Sequence, residues 1–184
     1  MSGAMRAFVA LDLPEPMLRP LTRLQAGLTV GRVVAAENLH LTLAFLGDVS
    51  EAAAYEVAEG LAAARLPGVR LALAGLAPLG SGRAPVLAVE ATGEGLEALQ
   101  AKVMRVAREA GVDLPRRRFR PHVTLARFPR DLGAKEQARL GEFLSLNGTF
   151  ALEAEPAPSV TLYRSHLSQD GADYEPLASF PLTG

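Results

Sequence analysis

A hexamer that occurs twice constrains the fold of this chain more than any other feature. His40 begins the sequence HLTLAF and His122 begins the sequence HVTLAR, so four of the six positions are identical. The chain has three histidines among 184 residues, and two of them stand at the same place in this repeat. Since internal repeats usually mark repeated structural units, the sequence predicts two related local structures with their histidines in equivalent settings.

Each hexamer has the residue pattern of a short β-strand. Side chains two positions apart in a strand share a face, so His40 and Thr42 would point to one side and Leu41 to the other. The second copy would present His122 and Thr124 in the same way. If the two strands approach each other, their polar faces would present two imidazoles and two hydroxyls to one bound group. Strict alternation also places one alanine of each copy on the polar face, namely Ala44 and Ala126. It places the last residue of each copy, Phe45 or Arg127, on the apolar face.

Helical and extended periods alternate along the rest of the chain. Strands are predicted over residues 5–13, 39–46, 69–79, 85–91 and 121–128, and helices over 14–28, 50–65 (with Ser50 as its N-cap), 95–110 and 134–146. Residues 149–182 alternate like β structure, and turns that contain glycine are predicted at 80–83 and 168–171. Because hairpins recur among the strands and helices, we expect an α+β fold with antiparallel or mixed sheets, formed by residues 1–184 as a single domain.

Composition excludes several classes of function. With no cysteine, the chain has no thiol nucleophile, no disulfide and no thiolate ligand for a metal. The longest apolar stretches are far shorter than the roughly 18–20 residues of a membrane-spanning helix. The N-terminal segment fits a first strand better than a secretory signal. We therefore expect a soluble cytoplasmic protein that spans no membrane.

Positive charge is concentrated in one segment of the chain. The formal net charge is −1, yet residues 116–130 contain six arginines and no acidic residue. This segment contains the second hexamer. Its clustered arginines predict a strongly positive local potential beside one of the two histidines.

Two histidines and two threonines in one groove suit displacement at phosphorus. An imidazole titrates near pH 6.5, so at neutral pH one histidine can act as a base and the other as an acid. One would take a proton from the attacking water and the other would protonate the departing ribose oxygen. The threonine hydroxyls and an arginine would bind the phosphate oxygens. This scheme requires no metal and no cofactor.

Two other interpretations of the histidines are open. A histidine beside a threonine in a strand is often a structural residue, which explains a single hexamer more easily than the repeated pair. A zinc site is the second alternative, but two histidines without cysteine or an HExxH pattern leave its ligand set incomplete. His166 lies outside the repeat and is expected on the surface of a strand.

The motifs resemble those of a known family. HLTLAFLG at 40–47 and RPHVTLAR at 120–127 resemble the paired HxTx motifs of the two-histidine (2H) phosphoesterase superfamily. The nearest branch is that of the RNA 2′,3′-cyclic phosphodiesterases, historically called 2′-5′ RNA ligases. The opening MRAFVALDLP at 5–14 and the tail at 162–182 also resemble this branch. The resemblance implies a bilobal α+β fold, with two lobes related by a pseudo-twofold axis around a central cleft.

The resemblance also implies an activity, which is hydrolysis of the 2′,3′-cyclic phosphate termini of RNA or nucleotides to 2′-phosphomonoesters. By position, His40 is the proton donor to the 3′-oxygen and His122 is the proton acceptor from water. Thr42 and Thr124 hold the phosphate. Arg127 matches the arginine that follows the second motif, although strict alternation points it away from His122 unless a twist or bulge turns the strand.

The other arginines of the cluster precede the second motif in an expected loop. Arg118 and Arg120 are candidates for contact with an RNA backbone, and a solvated loop is the alternative. Phe45, at the position equivalent to Arg127, is expected in the core rather than as a platform for a stacked base.

The expected partner is an RNA 3′ end or a nucleotide that carries a cyclic phosphate, and the protein is expected to be a monomer. Two further functions use the same residues. One is 2′-5′ RNA ligation, the reverse chemistry at the same site. The other is a module without catalytic activity that binds nucleotides or RNA ends.

Overall fold

Nine strands and four helices form the part of the chain that the structure, a computed structural model, describes: residues 3–80 and 85–183. The strands are β1 (Ala4–Asp12), β2 (Arg32–Val33), β3 (His40–Ser50), β4 (Arg70–Leu79), β5 (Val86–Glu94), β6 (His122–Arg127), β7 (Ala151–Pro156), β8 (Ser159–Ser168) and β9 (Gly171–Pro181). The helices are α1 (Glu15–Ala26), α2 (Glu51–Ala63), α3 (Leu96–Glu109) and α4 (Ala134–Leu146). Every helix and strand predicted from the sequence is present, and α4 has the predicted bounds.

The strands form one antiparallel sheet that has two halves. Its order is β7-β4-β5-β6-β3-β1-β8-β9, and β2 pairs with β6 beside this path. Between β3 and β6 the described pairing is a single pair of residues, Leu41 with Val123. The pairs on either side, β1 with β3 and β5 with β6, are much longer. The α+β prediction is confirmed, and the two lobes are two four-stranded halves that meet at the motif strands.

Both halves contain the same sequence of elements. In the first, β1 leads through α1 to β3, its antiparallel neighbour, and α2 follows. In the second, β5 leads through α3 to β6, again an antiparallel neighbour, and α4 follows. The repeated hexamer therefore belongs to a repeated β-α-β-α unit, in which His40 and His122 are each the first residue of the second strand.

Helices cover one face of the sheet. Helix α3 lies against β3 and β5, and α1 lies against β6. Leu41 and Val123 are fully buried on this face. The buried Gln25 of α1 donates from its amide to the carbonyl oxygens of Val34 at 2.8 Å and Leu125 at 2.9 Å, which fixes the helix to β6. Because this face is filled with apolar side chains, the polar side chains of the motif strands are left to the opposite face.

Strand β3 is longer than the sequence predicts. The sequence predicts a strand over residues 39–46, but β3 runs to Ser50 because it stays paired with β1. Gly47 has a φ angle of 72°, and the pairing register shifts between Ala7 and Phe8, so the glycine forms a bulge within the strand. Ser50 caps α2 as predicted, and its hydroxyl accepts a hydrogen bond from the Ala53 N–H at 3.1 Å.

Smaller elements were not all predicted. The two-residue strand β2 and the 3₁₀ turn at Ala36–Asn38 are too short for a periodic pattern. The turn at 168–171 is confirmed, since Ser168 pairs with Gly171 where β8 meets β9. The predicted turn at 80–83 lies mostly outside the described residues. In the described ranges, no helix is long and apolar enough to cross a membrane.

Candidate active site

The junction between the two halves places four polar side chains together. Leu41 and Val123 are paired, and extending this register by one residue sets His40 opposite Thr124 and Thr42 opposite His122. Paired residues of an antiparallel ladder point to the same side of the sheet. The two histidines are then diagonal neighbours, and such Cα atoms lie about 7–8 Å apart. Both imidazoles therefore lie on the same face of the sheet as diagonal cross-strand neighbours.

Both motif strands contain a bulge that alternation did not predict. Ala44 is 4% exposed and Phe45 is 69% exposed, and the register with β1 shifts beside them. In β6, Ala126 is fully buried, Arg127 is exposed, and the register with β5 shifts at the equivalent place. The predictions that the alanines line the polar face and that Phe45 joins the core are therefore wrong. One unpaired residue in each strand, Leu43 in β3 and Leu125 in β6, reverses the alternation. The last residue of each hexamer therefore turns towards the cleft.

Each of the two imidazoles makes an equivalent hydrogen bond to the backbone. His40 Nδ1 lies 2.7 Å from the Asn38 carbonyl oxygen, and His122 Nδ1 lies 2.6 Å from the Arg120 carbonyl oxygen. A carbonyl oxygen only accepts, so each Nδ1 donates and the neutral ring carries its lone pair on Nε2. His40 Nε2 accepts from the Thr42 hydroxyl at 3.0 Å. Each ring thus offers Nε2 as the atom that can gain or lose a proton.

Aromatic side chains surround His40. Its ring centroid is 4.9 Å from that of Phe8 and 5.2 Å from that of Tyr174, whose ring meets it edge-on. Phe8 stacks in turn on Tyr163 with centroids 5.2 Å apart. Burial among these groups lowers the pKa of His40 below 6.5.

Charged groups also act on the pKa of His40. The hydrogen bond to the Asn38 carbonyl raises it, the positive charge of Arg127 lowers it, the carboxylate of Asp12 raises it, and His122 lowers it. Arg127 and His122 belong to the other half of the sheet. The charges that act on His40 therefore come from both halves of the sheet.

The surroundings of His122 are open and polar. Glu90 of β5 is paired with His122 and is exposed. Beside them lies an open groove of about 510 Å³, lined by Glu90 and by the segment that leads into β6, including Arg118, Phe119 and Arg120. The two arginines therefore line a groove that Glu90, the residue paired with His122, also lines, and both are exposed.

A carboxylate that the sequence reasoning did not single out lies next to His40. Asp12, the last residue of β1, is paired with His40. Its Oδ2 accepts from the hydroxyls of Ser159 at 2.6 Å and Thr161 at 2.5 Å, and its Oδ1 accepts from Tyr163 at 2.7 Å. The signal available in the sequence is the alternation Ser-Val-Thr-Leu-Tyr at 159–163, which puts three hydroxyls on one face of a strand.

Two other sequence predictions concern metals and the third histidine. Over residues 3–80 and 85–183, no three side chains of His, Asp or Glu lie close enough together to hold a metal ion. His166 lies on β8 with its Nε2 2.7 Å from Glu175, and both side chains are about half exposed. Its predicted position on the surface of a strand is confirmed.

Comparison with known proteins identifies the family. The family model described as the 2′-5′ RNA ligase superfamily matches residues 13–167, a range that contains both motif strands. The chain belongs to the 2′-5′ RNA ligase superfamily.

Relatives and solved structures of this superfamily match over most of the chain. An RNA 2′,3′-cyclic phosphodiesterase of Escherichia coli (strain K12) is 34% identical over 188 residues, which covers 100% of this chain and 99% of that protein. A protein of the same name from Aeropyrum pernix is 32% identical over 149 residues, which covers 79% of this chain and 83% of that one. The crystal structure of E. coli LigT complexed with 3′-AMP has a TM-score of 0.69 and 27% identity and covers 100% of both chains.

Proposed function

We propose that this protein is an RNA 2′,3′-cyclic phosphodiesterase that hydrolyses cyclic phosphate termini of RNA or nucleotides to 2′-phosphomonoesters. Membership of the 2′-5′ RNA ligase superfamily supports this activity, and so do two relatives that are RNA 2′,3′-cyclic phosphodiesterases by name. The observation that carries it is the shared geometry of the histidines. In both, Nδ1 donates to a backbone carbonyl and Nε2 remains for proton transfer.

The proposed reaction is one in-line displacement at phosphorus. A water oxygen bonds to the phosphorus as His122 Nε2 takes a proton from that water. The bond from phosphorus to the 3′-oxygen breaks, and His40 Nε2 donates a proton to that oxygen. The products are a 2′-phosphomonoester and a free 3′-hydroxyl, and both histidines end in the opposite protonation state from which they began.

The phosphate oxygens need donors on the cleft face. Thr42 and Thr124 supply hydroxyls from the positions opposite the two histidines, and the bulge of β6 turns Arg127 in the same direction. We assign these three residues to phosphate binding. A guanidinium is suited to this role because it can donate two parallel hydrogen bonds to phosphate oxygens as negative charge redistributes over them.

Two surfaces beside the phosphate site fit the rest of an RNA strand. Arg118 and Arg120 line the groove next to His122, and we assign them to contacts with the RNA backbone. In the half that contains His40, the exposed ring of Phe45 has its centroid 6.3 Å from that of Phe8. It offers a flat apolar surface for a nucleobase.

A direct assay tests the proposed activity. Protein treated with EDTA is incubated with a nucleoside 2′,3′-cyclic phosphate, and the products are separated by chromatography against 2′- and 3′-phosphate standards. We expect steady turnover to the 2′-phosphate alone without added metal. Binding of the substrate without turnover would instead indicate a module that recognises RNA ends.

The description of the superfamily as 2′-5′ RNA ligases favours one second function. Attack by a 5′-hydroxyl in place of water would join two RNAs through a 2′-5′ bond at the same site. An RNA with a 5′-hydroxyl, added at high concentration to RNA with a cyclic phosphate end, tests this activity. A joined product that resists a ribonuclease specific for 3′-5′ bonds would show ligation, since such an enzyme needs a free 2′-hydroxyl beside the phosphodiester and a 2′-5′ bond uses that oxygen.

The organisation of the protein in solution is also a proposal. We propose that residues 1–184 act as one bilobal domain, that the protein is a monomer, and that it works in the cytoplasm. Light scattering coupled to size-exclusion chromatography tests the monomer, for which the expected mass is the chain mass of 19.4 kDa. A single cooperative unfolding transition tests the single domain.

A further inference from the structure

Asp12 occupies a special position relative to the proposed proton donor. It lies directly opposite His40 in the pairing of β1 with β3. Side chains at such positions point to the same face, with Cβ atoms about 4.5–5.5 Å apart. The pairing of Glu90 with His122 is the equivalent position in the other half. Each histidine therefore has an acid beside it, but the two acids have different surroundings.

The carboxylate of Asp12 is fixed in place, whereas Glu90 is exposed. Three hydroxyls on one face of β8 donate to Asp12 and use both of its oxygens: Ser159, Thr161 and Tyr163. Donors of this kind stabilise an anionic carboxylate. The ion pairs found in the described residues involve other acids, so no arginine or lysine among them pairs with Asp12. The hydroxyls orient the charge, and none of them neutralises it.

The other groups around His40 oppose its protonation or carry no charge. Burial lowers its pKa most and Arg127 and His122 of β6 lower it further, while the uncharged Asn38 carbonyl and the carboxylate of Asp12 raise it. Tyr163 of β8 remains a neutral phenol, because burial and its bond to Asp12 raise its pKa. Tyr174 of β9 contributes an aromatic edge. Among the charged side chains that act on His40, Asp12 is the anion.

We propose that Asp12 is a positioning residue that stabilises the protonated form of His40, with its charge oriented by the three hydroxyls of β8. This inference rests on the proposed role of His40 as the proton donor. Asp12 does not touch the reacting atoms. Through Tyr163 and Phe8 the same cluster also packs against the face of the imidazole ring, so charge and ring orientation are set by one group of residues.

The first test measures the titration of His40 by NMR in Asp12→Asn. The chain has three histidines, so the Cε1–H signals can be assigned with His40→Gln and His166→Gln variants. We expect the His40 signal to titrate at a lower pH in Asp12→Asn than in the wild type. An unchanged or higher titration point overturns the proposal. This measurement does not depend on enzymatic activity.

Two control variants separate charge from disturbance of the site. Glu90→Gln removes the acid at the equivalent position of the other half and should leave the titration of His40 unchanged. Ser159→Ala removes one donor from the cluster but keeps the charge of Asp12, so the titration point of His40 should not fall. If either control lowers it as much as Asp12→Asn does, the specific role of Asp12 is refuted.

Kinetics provide the second test. In Asp12→Asn, kcat for a nucleoside 2′,3′-cyclic phosphate should fall about tenfold at pH 8, with a smaller loss near pH 5.5, because a larger fraction of His40 is protonated there. A loss of equal size at every pH means that Asp12 has only a structural role. Wild-type protein without turnover would contradict the proposed function, whereas an active wild type with an unchanged profile in Asp12→Asn would contradict this inference alone.

A second variant covers the case in which Asp12→Asn does not fold. Asp12→Leu combined with Tyr163→Phe removes the charge without leaving the phenol unpaired, and Thr161 keeps its bond to Ser179 at 3.1 Å. Circular dichroism checks the fold, and the NMR titration is repeated. We expect the same fall in the titration point of His40, and its absence in a folded double variant overturns the proposal.

Discussion

The two halves of the active site share one motif but have different surroundings. In both, the histidine begins a central strand, its Nδ1 donates to the carbonyl two residues before it, and a bulge follows the threonine. His40 lies among aromatic rings beside Asp12, which is hydrogen-bonded on both oxygens. His122 is hydrogen-bonded to the Arg120 carbonyl and paired with the exposed Glu90, and Arg120 and Glu90 both line an open groove.

In the proposed reaction, this difference would allow two copies of one motif to take unequal roles. The repeated hexamer fixes which imidazole atom faces the cleft, and it does so equally in both halves. The surroundings of each copy differ, and for His40 they include burial among aromatic rings and the carboxylate of Asp12. Burial lowers the pKa of His40 and Asp12 raises it, whereas His122 is paired with the exposed Glu90, which lines an open groove. Because the motif is the same in both copies, any difference in proton-transfer role between the two histidines must come from their neighbours.

The largest effect should come from removing either imidazole. His40→Ala and His122→Ala should each lower kcat/KM by about 10²–10⁴-fold, because each removes one partner of the acid and base pair. Initial rates with a nucleoside 2′,3′-cyclic phosphate measure this loss. His166→Ala is the matched control, since His166 is exposed on β8 and outside the cleft. Wild-type rates in His40→Ala or His122→Ala would refute the site.

Removal of the threonine hydroxyls should have a smaller effect. Thr42→Val and Thr124→Val preserve the shape of the side chain and should each lower kcat/KM by about 10–100-fold through the loss of one donor to the phosphate. Thr42 also donates to His40 Nε2, so only Thr42→Val should change the pH profile as well. Identical pH profiles in the two variants would show that the halves are more alike than their surroundings indicate.

The arginines of the groove should matter only for long substrates. The double variant Arg118→Ala/Arg120→Ala should leave turnover of a mononucleotide unchanged and raise KM for an oligonucleotide several-fold. When the logarithm of the binding constant is plotted against the logarithm of the salt concentration, each lost phosphate contact should reduce the slope by about one. Phe45→Ala is a useful comparison on the opposite side of the cleft, because its effect should not depend on salt. An equal loss for both substrates would contradict the backbone role.

The smallest predicted effect concerns stability and pH. The pKa of His40 is lower in the folded protein than the 6.5 of an unfolded chain, so the unfolded state binds more protons as pH falls below 6.5. The contribution of His40 to the free energy of unfolding is therefore fully present above pH 6.5. It is lost as the pH falls through the lower pKa that His40 has in the folded protein. Denaturant titrations from pH 7.5 to 5 should show a smaller decrease in stability for His40→Gln than for the wild type. Equal decreases would contradict the lowered pKa.

Periodicity was sufficient to predict the regular elements but failed at irregular ones. Helix α4 and the turn at 168–171 follow directly from local pattern and glycine placement. The length of β3 could not be predicted from local pattern. Pairing with β1, more than thirty residues earlier in the sequence, continues the strand through Gly47. The positions of Ala44 and Phe45 were predicted wrongly for the same reason, since a bulge depends on the register between strands and not on either strand alone.

The amino-acid sequence by itself determined the α+β class, the repeated unit and the family, because these depend on local periodicity and on a motif that occurs twice. Tertiary structure decided what surrounds each copy. Asp12, Tyr163 and Phe8 meet at His40 only because β1 lies between β3 and β8 in the sheet. Burial and charge act through space, so the difference between the two histidines arises only when distant segments pack together.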